Sequence, residues 1–190
     1  MSLNLSTVLW ILNALKNTPR TGWVQRGVPP CIAESIASHM YEAALLCLAI
    51  GYELVKLRYI DENDLLRSLA MIIVHDVAEA VTGDVNKFVA EELGELKKVI
   101  ETKALENMGA DTFTNIYRKY QEMKSKEAVL AHICDKLATY AQAIRYLSMG
   151  YKVQDIMDSS KKDLEKLISI FCYEEDCRDD LLRIIKNLHF

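Results

Sequence analysis

A histidine and an aspartate directly follow a run of apolar residues in the middle of the chain. Residues 69–74 read LAMIIV, and the next two are His75 and Asp76. An isolated carboxylate removed from water carries a large desolvation cost unless it is paired, protonated or bound to a cation. The pair therefore predicts a buried site with a charged partner, and metal binding and acid–base catalysis are the chemistries that suit it.

Three further residues can join this pair. In an α-helix of about 100° per residue, His75 and Glu79 share one face and Asp76 falls between them. His39 and Asp135 also interrupt apolar helical patterns. Two imidazoles and two carboxylates would neutralise a divalent cation, although a lone buried histidine is more often a hydrogen-bonded core residue and a surface glutamate is common.

The chain is predicted to be all-α, because apolar residues recur at three- and four-residue intervals. The predicted helices cover residues 3–17, 32–58, 62–81, 86–108, 112–123, 125–149, 160–172 and 177–188. Asp61 is predicted to cap the third of these helices and Gly83 to close it. The charged residues 91–103 are predicted to form a solvated helix face, since opposite charges alternate at helical spacings.

Length and composition indicate a soluble globular protein. With 190 residues, the chain is most simply one domain, 1–190, with a motif-bearing core of about 5–150 and C-terminal helices at about 151–190. A net charge of −4 gives no basic surface for a nucleic-acid polymer or an anionic membrane. Since no segment approaches a membrane span and no leader pattern is present, we expect a cytoplasmic protein.

The five cysteines include no CxxC pair, which argues against a zinc ribbon and against a disulfide framework. We expect most of them to be reduced and buried. A bond between Cys172 and Cys177 is the alternative for a protein from a hyperthermophile, where intracellular disulfides occur.

The order of these residues carries a family resemblance. His39, then His75-Asp76, then Asp135 resembles the H…HD…D signature of the HD superfamily of metal-dependent phosphohydrolases. HDVAEAVTGD is similar to the second motif of bacterial 5′-deoxynucleotidases and their eukaryotic HD-domain relatives, and PRTGWVQRGV to the stretch before the first motif. The resemblance covers about residues 5–150 and implies a single helical HD-domain bundle. Ser38 departs from it, because relatives usually have an acidic residue there.

The resemblance implies that His39, His75, Asp76 and Asp135 are metal ligands. Two nitrogens and two oxygens suit Mn²⁺, Co²⁺, Fe²⁺ or Ni²⁺ in an open octahedron, with Zn²⁺ or Mg²⁺ as alternatives. A divalent metal ion is therefore the expected cofactor.

The resemblance also implies roles for residues around the metal. Glu79 would orient or deprotonate the attacking water. Asp84 would be a proton donor or a sugar contact, with a helix N-cap as the alternative. Arg20, Trp23 and Arg26 would bind the phosphate and deoxyribose of the substrate, and the alternative for Trp23 is that it anchors the loop on the core.

The function that the resemblance implies is a 5′-deoxynucleotidase acting on a small nucleotide, as a homodimer. One alternative is an HD phosphohydrolase acting on a cyclic dinucleotide, an alarmone or a nucleoside triphosphate. Residues 78–80 read AEA and lack the Glu-Asp pair expected of alarmone hydrolases. The other alternative is a non-catalytic, metal-stabilised nucleotide-binding module.

Overall fold

The computed structural model describes residues 4–188, which form helices joined by short connections. The helices are α1 (Leu5–Asn17), α2 (Thr21–Val24), α3 (Ile36–Lys56), α4 (Glu62–Val74), α5 (Glu79–Thr82), α6 (Lys87–Leu93), α7 (Glu95–Asn107), α8 (Asp111–Glu122), α9 (Lys126–Ser148), α10 (Gln154–Phe171) and α11 (Glu175–Lys186). Within residues 4–188, extended pairing is limited to one bridge between Pro19 and Ser35. The all-α prediction is confirmed.

The main core lies where α3, α4 and α9 pack against one another, with α10 covering α9. Its buried side chains include Cys47 and Ile50 of α3, Ile72 of α4, and Leu130 and Leu137 of α9. These apolar stripes recur at helical spacing and are removed from water by the contact of the three helices and by α10. The same helices carry the polar residues singled out above, so core packing positions the candidate site.

Gly51 allows α3 and α4 to approach closely. A Cβ atom at this position would lie 2.2 Å from Cδ1 of Leu65, which is itself buried. At one end of the helix pair, Gly51 of α3 therefore packs directly against Leu65 of α4. At the other end, His39 and His75 face each other.

The predicted helix 62–81 is interrupted. Asp61 caps α4 through a capping box, as predicted, but α4 ends at Val74. The chain then tightens into i→i−3 hydrogen bonds, such as Glu79 N–H to the Asp76 carbonyl at 3.0 Å, before α5 forms. Gly83 closes α5 with φ +72°, which confirms its predicted place at a helix end.

The predicted solvated face at residues 91–103 is confirmed for Glu91, Glu92, Glu95 and Lys103, which are exposed, but not for Glu101. The single helix predicted over residues 86–108 is wrong. Gly94, with φ +49°, separates α6 from α7. Glu101 is only 3% exposed, because α7 turns that face toward α8, where the Tyr117 hydroxyl donates a hydrogen bond to Glu101. The alternation of charges in the sequence does not reveal that α8 covers Glu101.

Other boundaries differ by a few residues. The short helix α2 lies in a stretch predicted as loop, and α10 starts at Gln154 where residue 160 was expected. The predicted start of the first helix at residue 3 lies outside the described residues.

The cysteines divide into two sets. Cys172 and Cys177 form a disulfide between the end of α10 and α11, which is the alternative considered above. Cys47 and Cys134 are free and buried, and Cys31 is free and exposed.

Across residues 4–188, no helix combines the length and the apolar character needed to cross a membrane.

We predict that Gly51→Ala destabilises the protein. Alanine favours a helix by up to about 1 kcal/mol over glycine, but the added methyl must displace the buried Leu65 side chain. Overpacking of this kind costs about 1–3 kcal/mol, so the free energy of unfolding should fall by about 1 kcal/mol in urea titrations.

Gly22→Ala is the matched control for this prediction. A Cβ atom there would meet Ile156 at an ordinary 3.7 Å. Equal stability of the Gly51→Ala and Gly22→Ala proteins would contradict the close-approach explanation.

Candidate metal centre

Three core elements bring together the four residues predicted as metal ligands. His39 lies on α3, His75 and Asp76 at the end of α4, and Asp135 on α9. Nε2 of His39 is 3.0 Å from Oδ1 of Asp135, and Nε2 of His75 is 3.8 Å from the same oxygen. One ligand atom from each of His39, His75 and Asp76 lies within 4.8 Å of the others. Residues separated by up to about a hundred positions thus converge on one point.

The tautomer of His75 follows from its hydrogen bonds. Nδ1 lies 2.7 Å from the Ile72 carbonyl oxygen, which can only accept, so Nδ1 carries the proton. In the neutral ring Nε2 therefore carries the lone pair, and this nitrogen faces Asp76 and Asp135. It has no hydrogen-bond partner among the described residues, although Oδ2 of Asp76 is 3.0 Å away. A buried lone pair facing carboxylate oxygens is the donor arrangement that a divalent cation satisfies.

The two carboxylates are held by cations from outside this group. Arg20 donates to Oδ2 of Asp76 at 3.0 Å. Oδ2 of Asp135 accepts from Lys136 at 2.8 Å and from the Tyr120 hydroxyl at 3.4 Å, which leaves Oδ1 for the histidines. Burial opposes ionisation of Asp135, but Lys136 and His39 hold its pKa well below the usual range.

Glu79 is buried beside this group. It is the first residue of α5, is 4% exposed, and its Oε2 has no hydrogen-bond partner within residues 4–188. Its Oε1 is 3.9 Å from Nζ of Lys97. Burial, with the charges of Asp76 and Asp84, raises the pKa of Glu79 well above its usual range. The structure thus maintains a carboxyl group with a strong tendency to take up a proton.

Asp84 joins the second motif to the loop that precedes α3. Its Oδ2 accepts a hydrogen bond from the Thr21 amide at 2.5 Å, and the Thr21 hydroxyl donates to the Asp84 carbonyl at 2.9 Å. Asn86, not Asp84, is the N-cap of the next helix, α6. Asp84 therefore holds the start of α2 in place.

The three loop residues predicted to bind substrate occupy different places. All three line a cavity of about 770 Å³ that also reaches His75 and Asp135. Arg20 lies next to Asp76, as described, whereas Arg26 pairs with Asp155 of α10 at 2.6 Å. Trp23 is 2% exposed, so most of its surface is used for packing.

Trp23 is fixed by two contacts. Its ring meets Tyr146 edge-on at a centroid distance of 5.2 Å, and Nε1–H donates to Oε1 of Glu34 at 2.8 Å. The alternative in which Trp23 anchors the loop therefore describes its contacts well. Trp23 both packs on the core and lines the cavity, so the two roles are compatible.

Comparison with known proteins identifies the family. A family model described as an HD domain matches residues 12–170. The chain belongs to the HD domain family. This HD domain is 30% identical to "5'-deoxynucleotidase HDDC2" of Dictyostelium discoideum, over 80% of this chain and 85% of that protein. It is 28% identical to the human protein of the same name, over 83% of this chain and 76% of that one.

A solved structure supports the same placement. A conserved hypothetical protein from Pyrococcus furiosus superposes on this HD domain with a TM-score of 0.78 and 31% identity, covering 95% of this chain and 99% of that chain. The predicted family membership is confirmed.

Sequence reasoning missed several residues of the HD domain site. Glu34, in the loop before α3, places Oε1 4.0 Å from Nδ1 of His39. It brings an acidic group near His39, whereas Ser38 bonds to Ser35 at the start of α3. No local pattern marks Glu34, while the position of Lys136 directly after Asp135 was a usable signal.

We predict that Glu79→Gln stabilises the metal-free protein. Folding raises the pKa of Glu79 from 4.5, so this carboxyl contributes stability below pH 4.5 that is lost as the pH rises through the folded-state value. Glutamine does not titrate. In EDTA at pH 8, the free energy of unfolding of the variant should exceed that of wild type by about 1–3 kcal/mol. The difference should shrink toward pH 4.5.

Glu92→Gln provides the control for this comparison, because Glu92 is an exposed glutamate on α6. We expect it to change stability little at either pH. A Glu79→Gln protein no more stable than wild type at pH 8 would show that burial does not disfavour the charged carboxylate.

Proposed function

We propose that this HD domain is a divalent-metal-dependent 5′-deoxynucleotidase that converts deoxyribonucleoside 5′-monophosphates to deoxyribonucleosides and phosphate. The observation that carries the proposal is the close grouping of two histidines and two aspartates beside a cavity with arginine at its wall. The Dictyostelium and human relatives bear this activity in their names.

His39, His75, Asp76 and Asp135 would hold the metal ion. Support comes from the unpaired Nε2 of His75 and from the free Oδ1 side of Asp135 described above. The mixed nitrogen and oxygen donors suit Mn²⁺, Co²⁺, Fe²⁺ or Ni²⁺, with Zn²⁺ or Mg²⁺ as alternatives. When bound, such an ion lowers the pKa of water and polarises a phosphoryl group.

Arg20 is our candidate for the phosphate-binding residue. Its guanidinium lies 3.0 Å from Asp76, next to the proposed metal ligands, and a planar fork suits phosphate oxygens. Arg26 forms an ion pair with Asp155 and would contact the substrate farther from the reacting phosphorus.

Glu79 is our candidate for the residue that orients or deprotonates the attacking water. A raised pKa brings a carboxylate toward the range useful for general base catalysis. Asp84 remains a candidate for proton donation or sugar contact, and its bond to Thr21 also supports a role in positioning Arg20 and Trp23. We propose that Trp23, held by Glu34, limits the space beside the sugar and disfavours ribonucleotides.

Two alternatives stay open to experiment. Another nucleotide substrate would leave the metal group unchanged. A non-catalytic binding module is disfavoured by Glu79, because a purely structural metal site gains nothing from a further buried carboxyl group beside it. The single-domain organisation, the homodimer and the cytoplasmic location stay predictions.

The test is phosphate release from a panel of deoxyribonucleoside and ribonucleoside monophosphates, p-nitrophenyl phosphate and cyclic dinucleotides. EDTA-treated protein should be inactive, and added Mn²⁺ or Co²⁺ should restore turnover, fastest with the deoxyribonucleotides. Asp76→Ala should lower kcat/KM by about a hundredfold or more, since loss of metal chemistry forfeits several kcal/mol.

Asp158→Ala, which removes an exposed carboxylate of α10, is the control and should retain activity. The proposal fails if the purified protein holds metal but releases phosphate from no monophosphate. Turnover of ribonucleotides as fast as deoxyribonucleotides would contradict the role of Trp23.

A further inference from the structure

Lys97 of α7 lies between two buried carboxylates. Its Nζ is 2.8 Å from Oε1 of Glu101 and 3.9 Å from Oε1 of Glu79. The Lys97 side chain is 24% exposed, whereas those of Glu101 and Glu79 are 4% and 5% exposed. A buried carboxylate requires a hydrogen bond or a countercharge, and one ammonium group serves both.

Hydrogen bonds from α8 fix the position of the Glu101 carboxylate. The hydroxyl of Tyr117, a fully buried residue of α8, donates to Oε2 of Glu101. Nε2 of Gln121 donates to the Tyr117 hydroxyl oxygen at 3.0 Å. Because Glu101 is held across two helices, it restricts where the Lys97 ammonium can lie.

The Glu79 end faces the cavity. Lys97 and Glu79 both line the cavity. Glu101 and Tyr117 are not among the described residues that line it. The charged groups acting on Glu79 are Asp76, Asp84, Arg20 and Lys97. Arg20 is already bonded to Asp76. Lys97 is therefore the cation near Glu79 that is not bonded to one of the proposed metal ligands.

We propose that Lys97 is a positioning residue for Glu79, with Glu101 and Tyr117 fixing the ammonium that holds the Glu79 carboxylate in place. The inference rests on the proposed function, in which Glu79 orients the attacking water. A catalytic carboxylate requires a fixed direction, and supporting residues outside the site supply it.

This role predicts a specific kinetic pattern. In this role Lys97 acts through Glu79 and not on the substrate, so its loss should lower kcat and leave KM unchanged. We expect Lys97→Met to lower kcat for dAMP by about 10–100-fold in saturating Mn²⁺, in line with the contribution of a positioned base. Lys97→Arg should recover most of the loss, and Glu101→Gln should show a smaller fall in kcat.

Lys98→Met is the matched control. Lys98 is the next residue on α7 and pairs with the exposed Glu95 at 2.7 Å, away from Glu79. Its kcat and KM should equal those of wild type. Since Lys97→Met leaves Glu101 buried without its cation, the double variant Lys97→Met/Glu101→Gln removes both charges and provides a second protein for the same measurement if the single variant unfolds.

Two kinetic results would overturn the inference. A raised KM with unchanged kcat would make Lys97 a substrate-binding cation. Unchanged kcat and KM would leave the ion pair with a purely structural role.

Crystal structures of wild type and Lys97→Met supply a readout independent of turnover. We expect the Glu79 carboxylate to move or to lose a single conformation in the variant, and an unmoved carboxylate would overturn the inference. If wild type itself releases phosphate from no monophosphate, the proposed deoxynucleotidase function fails, and the position of Glu79 in the two crystal structures still decides the role of Lys97.

Discussion

The burial of two carboxylates and two imidazoles among apolar helices is the constraint on which the site depends. The contacts of α3, α4 and α9 that form the core also force His39, His75, Asp76 and Asp135 together. Uncompensated, these groups would oppose folding. Arg20 and Lys136 neutralise the outer side of the carboxylates, and the inner side, with the His75 lone pair, is suited to a cation. Core stability and metal chemistry are therefore properties of the same helix contacts.

The surrounding elements adjust to that centre. The end of α4 at Val74 and the tightened turn after it place Asp76 toward Arg20 and Glu79 at the start of α5. Hydrogen bonds then connect α2 to the loop after α5 and to the loop before α3. Asp84 bonds to Thr21, and Trp23 bonds to Glu34 beside His39. A change in either loop alters the geometry around the cavity, because both are bonded to α2.

Much of this could be predicted from the sequence, because buried polar residues stand out in apolar helical patterns. His39, His75 and Asp135 were identifiable in this way, and the capping residue Asp61 marked the start of α4. Three features were not predictable: the helix break after Val74, the burial of Glu101 and the approach of Glu34 to His39. Each depends on a partner distant in sequence, and local periodicity carries no information about which helix covers which face.

The most direct test of the central claim is the thermal unfolding of EDTA-treated protein with increasing Mn²⁺, for wild type, Asp135→Asn and the exposed control Asp158→Asn. If a cation compensates the buried group, saturating Mn²⁺ at about a hundredfold above Kd should raise the Tm of wild type and of the control by roughly 5–10 °C. Asp135→Asn should lose this shift. A wild-type Tm that does not respond to metal, or an equal response in Asp135→Asn, would contradict the account.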